Sequence, residues 1–336
     1  MTKRFATRFA VSLTLSVLAY ATAASADTIY QPYYYAQNRD TYQFATISPP
    51  LDNGVTVPTP PSAPATNWKA PEEVFHQQAA AMATPMLPLG TRSGLDGGIQ
   101  GSYYSDKENG ADIRTQGPQL GVTLDATVVS NGGIFDTVDF REAYGRVDYN
   151  SPDGNSKDHA NEMMEVRDVI GKDFVWNNQY SLSPYIGIGY RNLYNDNRGI
   201  TSLGDSGYQT LSQYLYIPIG VKPEMRINGS DLVTMDLEYD YFAHGWQTSH
   251  LSDAVSTDPT VRNSQSTGLG FRGNLMWNTG NWAFGPFVNY WSVNNSASQT
   301  FFSPSASCGH TTCTNIDPHS ITFEGGLQLK YHFFGF

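Results

Sequence analysis

Cysteine, charge and long apolar runs are all scarce in this chain, and each shortage excludes a class of protein. Its two cysteines, Cys308 and Cys313, are too few for a disulfide-built scaffold or a paired-CxxC zinc module. HExxH, CxxC and a phosphate-cradling glycine loop are all missing from the sequence, so no cofactor and no metal centre is expected. Past residue 26 there is no run of about 18 uncharged apolar residues, the length a membrane-crossing helix requires. Charged residues make up only 15%, with 20 basic against 31 acidic, so nucleic acid is a poor partner.

What is present begins with a secretory pattern. Lys3, Arg4 and Arg8 precede an apolar stretch, and Ala24-Ser25-Ala26 supplies an A-x-A cleavage site, so 1–26 reads as a signal peptide removed before Asp27. Without it the chain carries 17 basic and 31 acidic residues, net −14. In an exported protein the spacing of Cys308 and Cys313 predicts a small loop disulfide, and the alternative is a metal site with His310 as third ligand. Residues 27–92 are rich in Tyr, Gln and Pro, with a short helical pattern over 71–83, and read as a disordered periplasmic arm. Such an arm could touch peptidoglycan or another periplasmic partner, enter the rest of the fold as a plug, or serve only as a tether.

From residue 93 one theme repeats to the end: period-two alternation, then a turn signal. Ten segments show it: 95–105, 119–128, 137–149, 162–171, 180–194, 211–225, 232–246, 264–277, 282–293 and 321–336. Long polar connections (106–118, 150–161, 195–210, 247–263, 294–320) alternate with shorter ones (129–136, 172–179, 226–231, 278–281). In the last segment Phe323, Leu327, Leu329, Tyr331 and Phe333 oppose Glu324, Gln328, Lys330 and His332.

That aromatic-ended closing strand, with Ser183-Pro-Tyr-Ile-Gly-Ile-Gly-Tyr-Arg191 and Tyr214-Leu-Tyr-Ile-Pro-Ile-Gly220, resembles small Gram-negative outer-membrane β-barrels of the porin-like and surface-antigen type. The resemblance implies an all-β, antiparallel up-and-down transmembrane barrel over 93–336, with about ten strands and eight or twelve as alternatives. It also implies an outer-membrane location among lipids and lipopolysaccharide, and assembly by machinery that reads the last strand. Phe333 ends the best match to that strand and Phe336 ends the chain, and either could be the aromatic that is read.

Facing then follows from the alternation. Rows such as Leu120, Val122, Leu124 and Ala126, or Val233, Met235, Leu237 and Tyr239, are expected to meet lipid. A lumen network is expected from Asp125, Glu142, Arg146, Glu165, Arg167, Arg191, Asp236, Glu238, Asp240, Arg272, Glu324 and Lys330, accompanied by Asp96, Asp148, Lys222, Glu224 and His332. Arg141 and Asp168 fall in lipid rows on this reading and do not suit them. Ten strands leave little free lumen, so the expected role is structural or surface-interacting, around a charged, largely plugged interior. A narrow channel for small solutes is the first alternative. An enzyme is the second: omptin-type proteases have the same strand number, and Asp240 with His244 could form a rim general base. A lipid A-modifying activity has only His319-Ser320 to offer. The expectation is that the protein is not an enzyme.

Overall fold

Alternating segments joined by Asn- and Gly-centred turns give strands long enough to cross a bilayer and continue past it. In this computed structural model, residues 86–304 and 311–335 are described. They form β1 (Gly94–Glu108), β2 (Ile113–Val129), β3 (Ile134–Ser151), β4 (Gly154–Lys172), β5 (Phe174–Trp176), β6 (Tyr180–Ile200), β7 (Ser206–Arg226) and β8 (Asp231–His250), then β9 (Thr260–Gln265), β10 (Gly268–Thr279), β11 (Trp282–Val293), β12 (Gln299–Phe302), β13 (Thr312–Asn315) and β14 (Ser320–Phe334). The barrel strands pair antiparallel in chain order, β9 and β10 share one position beside β8, and β14 pairs β1. Ten positions therefore close on themselves, while β9 pairs β8 alone above the closed ring. β5 adds to β6, and β12 and β13 form a separate hairpin.

Turn chemistry fixes one end. Asn177 and Asn178 both have positive φ between β5 and β6, the conformation a tight primed hairpin demands. The Asn228 side chain accepts from the backbone N–H of Ser230 and of Asp231, closing the β7–β8 turn. Residues 86–93 lie at this same end: Leu87 N–H donates to Gly229 O, Gly90 N–H to Glu224 and Thr91 N–H to Asp173.

At the opposite end the strands are longer than expected. The polar stretches 106–118 and 150–161 are mostly ladder, with turns at 109–112 and 152–153 alone. Water explains the difference. Above the bilayer both faces of a strand can be polar, so alternation fades while the hydrogen bonds continue. The stretch 264–277 also divides, breaking at Ser266-Thr267 between β9 and β10.

Candidate functional site

Inside the barrel, charges gather midway along its length. Arg167 donates to Asp139 at 2.9 Å and to Glu238 at 2.5 Å. Arg272 bridges Glu165 at 2.8 Å and Glu238 at 2.9 Å, and stands 3.6 Å from Asp240. Arg141 pairs with Glu324 and lies 3.8 Å from Glu165. Two tyrosines complete the belt: Tyr216 donates to Glu165 at 2.7 Å, and the Tyr185 hydroxyl stands 2.6 Å from Asp236 and 2.7 Å from Glu238, with one proton to donate between them. Glu165 and Asp240 are each 0% exposed. Charges so buried persist only with partners, because an isolated one costs several kcal/mol.

Glycines make room for those tyrosines. A Cβ on Gly189 would sit 2.2 Å from the Tyr216 ring, and one on Gly220 would sit 2.2 Å from the Tyr185 ring. Each ring therefore lies flat on a neighbouring strand and delivers its hydroxyl to the carboxylates. Nearer the turn-rich end, Lys330 meets Asp125 at 2.6 Å and His332 meets Asp96 at 3.0 Å. Lys222 stacks over Phe135 and Tyr185, and Glu224 caps Gly90.

Three expectations fail on facing. Glu142 and Arg146, with Asp148, lie on the outward face of β3, whereas Asp139, Arg141, Ala143 and Val147 are the buried row. Charge occurs on both parities of β3, so alternation alone was ambiguous; the ladders to β2 and β4 set the register. Arg141, unsuited to lipid, is thus a lumen residue. Asp168 does stay in the outward row, between Val138 and Ile188. The Asp240–His244 pair also dissolves. A β-bulge where β7 pairs β8 shifts the register between Leu215 and Tyr216. Asp240 faces inward, while His244 turns outward and packs edge-on against Trp246 at 4.6 Å. His319 is equally unsuited to work with Ser320, since its ring nitrogens face Ser292 Oγ at 2.9 Å and Asn109 at 3.2 Å.

The outside of the barrel decides its solvent. Outward rows run apolar through Leu120, Val122 and Leu124 and through Met235, Leu237 and Phe271. Aromatics bound this band: Trp176, Trp277, Trp282 and Phe333 at the turn-rich end, Tyr103, Tyr144, Tyr241 and Phe323 at the other. From Val233 to Tyr241 the strand rises roughly 20 Å at about 3.4 Å per residue and about 40° tilt, close to the apolar height of such barrels. Among the described residues no helix is long and apolar enough to cross a membrane; the strands do so.

The chain is a closed antiparallel β-barrel of ten strand positions with an apolar, bilayer-facing outer band. Its last strand ends the ladder at Phe334, with Phe333 stacked edge-on against Tyr331 at 5.2 Å, and Phe336 lies outside the described residues. So do residues 1–26, expected to be a signal peptide, 27–85 and Cys308, while Cys313 sits in β13 opposite Phe301.

No family model and no curated protein matches the chain. Among solved structures it is similar to the outer membrane protease OmpT from Escherichia coli, at 12% identity over 72% of this chain and 98% of that one, with a TM-score of 0.47. It is similar also to OprG from Pseudomonas aeruginosa (15% identity, 74% and 100% covered, TM-score 0.32) and to Ail of Yersinia pestis (11%, 71% and 99%, 0.27). At these identities and scores, nothing about activity passes from those proteins to this chain.

Beyond the upper aromatics the strands enclose a cleft of about 240 Å³. Asp106 and Glu108 of β1 and Asp317 of the 294–319 connection line it. Burial raises Asp106 to about 6 against the hydrogen bond from Thr322 and the field of Arg191. Burial and then the nearby Asp106 raise Glu108 to about 8 and Asp317 to about 7. Sequence reading missed this cluster, because its members fell in stretches read as loops.

Proposed function

We propose that this protein is a closed-lumen barrel that acts by presenting its outer end to partners rather than by conducting solutes. The observation that carries the reading is the belt of Arg141, Arg167 and Arg272 with Glu165, Glu238 and Glu324, whose side chains meet across the lumen from β3, β4, β8, β10 and β14. Opening a water path there would part several buried pairs at once, each worth about 3–5 kcal/mol when broken. The arm 27–92 is periplasmic in this reading. It reaches any periplasmic partner from the end that 86–93 crosses, and the outward band sits among outer-membrane lipids and lipopolysaccharide.

Planar-bilayer recording tests it. The native barrel is expected to show no conductance steps, and the Arg167→Ala, Arg272→Ala double variant to show small ones. Regular steps from the native protein would overturn the reading in favour of a narrow channel.

A further inference from the structure

Between the belt and the Lys330–Asp125 pair lies a small cavity of about 60 Å³. Four cations line it, Arg141, Arg167, Arg272 and Lys330, against two carboxylates, Asp125 and Asp139. Both carboxylates are engaged, Asp125 with Lys330 at 2.6 Å and Asp139 with Arg167 at 2.9 Å. Glu165, Glu238 and Glu324, the glutamates that pair with Arg141 and Arg272, are not in the lining. The walls of the cavity therefore carry more positive than negative charge.

Three of the lining residues also bring donors without a partner. Gln100 is 4% exposed, and its Oε1 accepts from Arg141 Nε at 3.0 Å, which fixes Nε2 as the free donor of that amide. Thr123 is 7% exposed with Oγ1 unpartnered. Arg141 is 7% exposed, and its Nη1 has no hydrogen-bond partner, standing 3.8 Å from Glu165. A fourth lining donor, Gln328 Nε2, is spent on the Met276 thioether at 3.2 Å, a weak acceptor. Register makes the first three neighbours: Thr123 of β2 lies directly between Gly98 of β1 and Arg141 of β3. Glycines leave room for them. A Cβ on Gly98 would stand 2.8 Å from Thr123 Oγ1, and one on Gly121 would stand 2.8 Å from Gln100 Nε2. The closed-lumen reading uses none of these donors.

We propose that this cavity binds a small monovalent anion of halide size, held by Gln100 Nε2, Thr123 Oγ1 and Arg141 Nη1. Buried donors left unpaired are costly, and a bound acceptor recovers that cost. A water accepts two hydrogen bonds and then needs acceptors for its own protons. A halide accepts from every donor and is attracted by the surrounding cations as well. The volume is several times the roughly 10–15 Å³ that admits one water, so a halide fits with a water beside it and a bulky organic anion does not. The Lys330 and Asp125 side chains, 26% and 18% exposed, form the accessible edge by which the ion enters. Once bound, it ties β1, β2 and β3 together beneath the belt.

The full-length barrel in detergent provides the test, with sodium bromide as the probe and sodium gluconate holding ionic strength constant. Bromide is expected to raise the urea midpoint of unfolding with the logarithm of its concentration once the site fills, because it binds the folded barrel and not the unfolded chain. Crystals grown in bromide should show an anomalous peak within hydrogen-bond distance of Gln100 Nε2 and Thr123 Oγ1. Thr123→Val removes one donor at nearly constant shape, and the bromide concentration giving half the effect should rise about tenfold. Gln100→Glu still accepts from Arg141 Nε but sets a carboxylate at the site, and the bromide effect should vanish. Heat-modifiable gel migration verifies that each variant folds; should either fail to fold, the native midpoint and the anomalous map still decide. A native midpoint that bromide does not raise, an unchanged bromide response in Thr123→Val, or a cavity that holds waters only would each overturn the proposal.

Discussion

Single residues carry the lumen. Arg272 touches Glu165 and Glu238 and approaches Asp240, so Arg272→Ala leaves carboxylates buried without their cation. The expected loss is about 3–5 kcal/mol, read as a lower urea midpoint for unfolding from detergent or lipid; a shift under about 1 kcal/mol would show that water replaces the guanidinium. Gly220→Ala tests the packing that positions Tyr185. A methyl there meets the ring at 2.2 Å, so Tyr185 must leave Asp236 and Glu238, and the midpoint should fall by about 1–3 kcal/mol, the usual range for overpacking. Asp240 and His244 show how a residue-level pattern misleads. Four positions apart in an extended strand they share a face, and only the bulge, which no spacing in the sequence announces, separates them.

At the level of elements, the outer ends of β1 and β14 with the 294–319 connection form a unit sensitive to pH. Asp106, Glu108 and Asp317 hold protons in the folded protein that an unfolded chain has released by about pH 4.5. Their contribution is therefore largest below that pH and is lost as pH rises through about 6 to 8. Amide exchange at 311–319, corrected for its intrinsic rate, should reveal more frequent opening at pH 8.5 than at 5.5; equal opening would count against it. The closing strand gives a separate expectation. Phe333 stacks on Tyr331, itself against Trp282 at 4.7 Å, so removing 334–336 should leave assembly into membranes near normal, and removing 333–336 should lower it severalfold, measured by heat-modifiable migration.

For the whole molecule, composition and alternation made the architecture legible in advance. Scarce charge, abundant aromatics and repeated period-two segments admit one membrane-crossing solution, a closed sheet, because lipid satisfies no unpaired backbone group. The lipid rows of β2 and β8 could be read directly, since hydrocarbon tolerates so little polarity that the sequence must alternate cleanly there. Tertiary structure decided the rest. Register on β3 came from its neighbours because both of its faces carry charge, the reach of the strands past the bilayer was hidden because water accepts either face, and the acid cleft exists only where β1 and the 294–319 connection meet. Local sequence determined which solvent each face sees; only closure of the barrel decided which inward charges become partners, since those pairs join strands far apart along the chain.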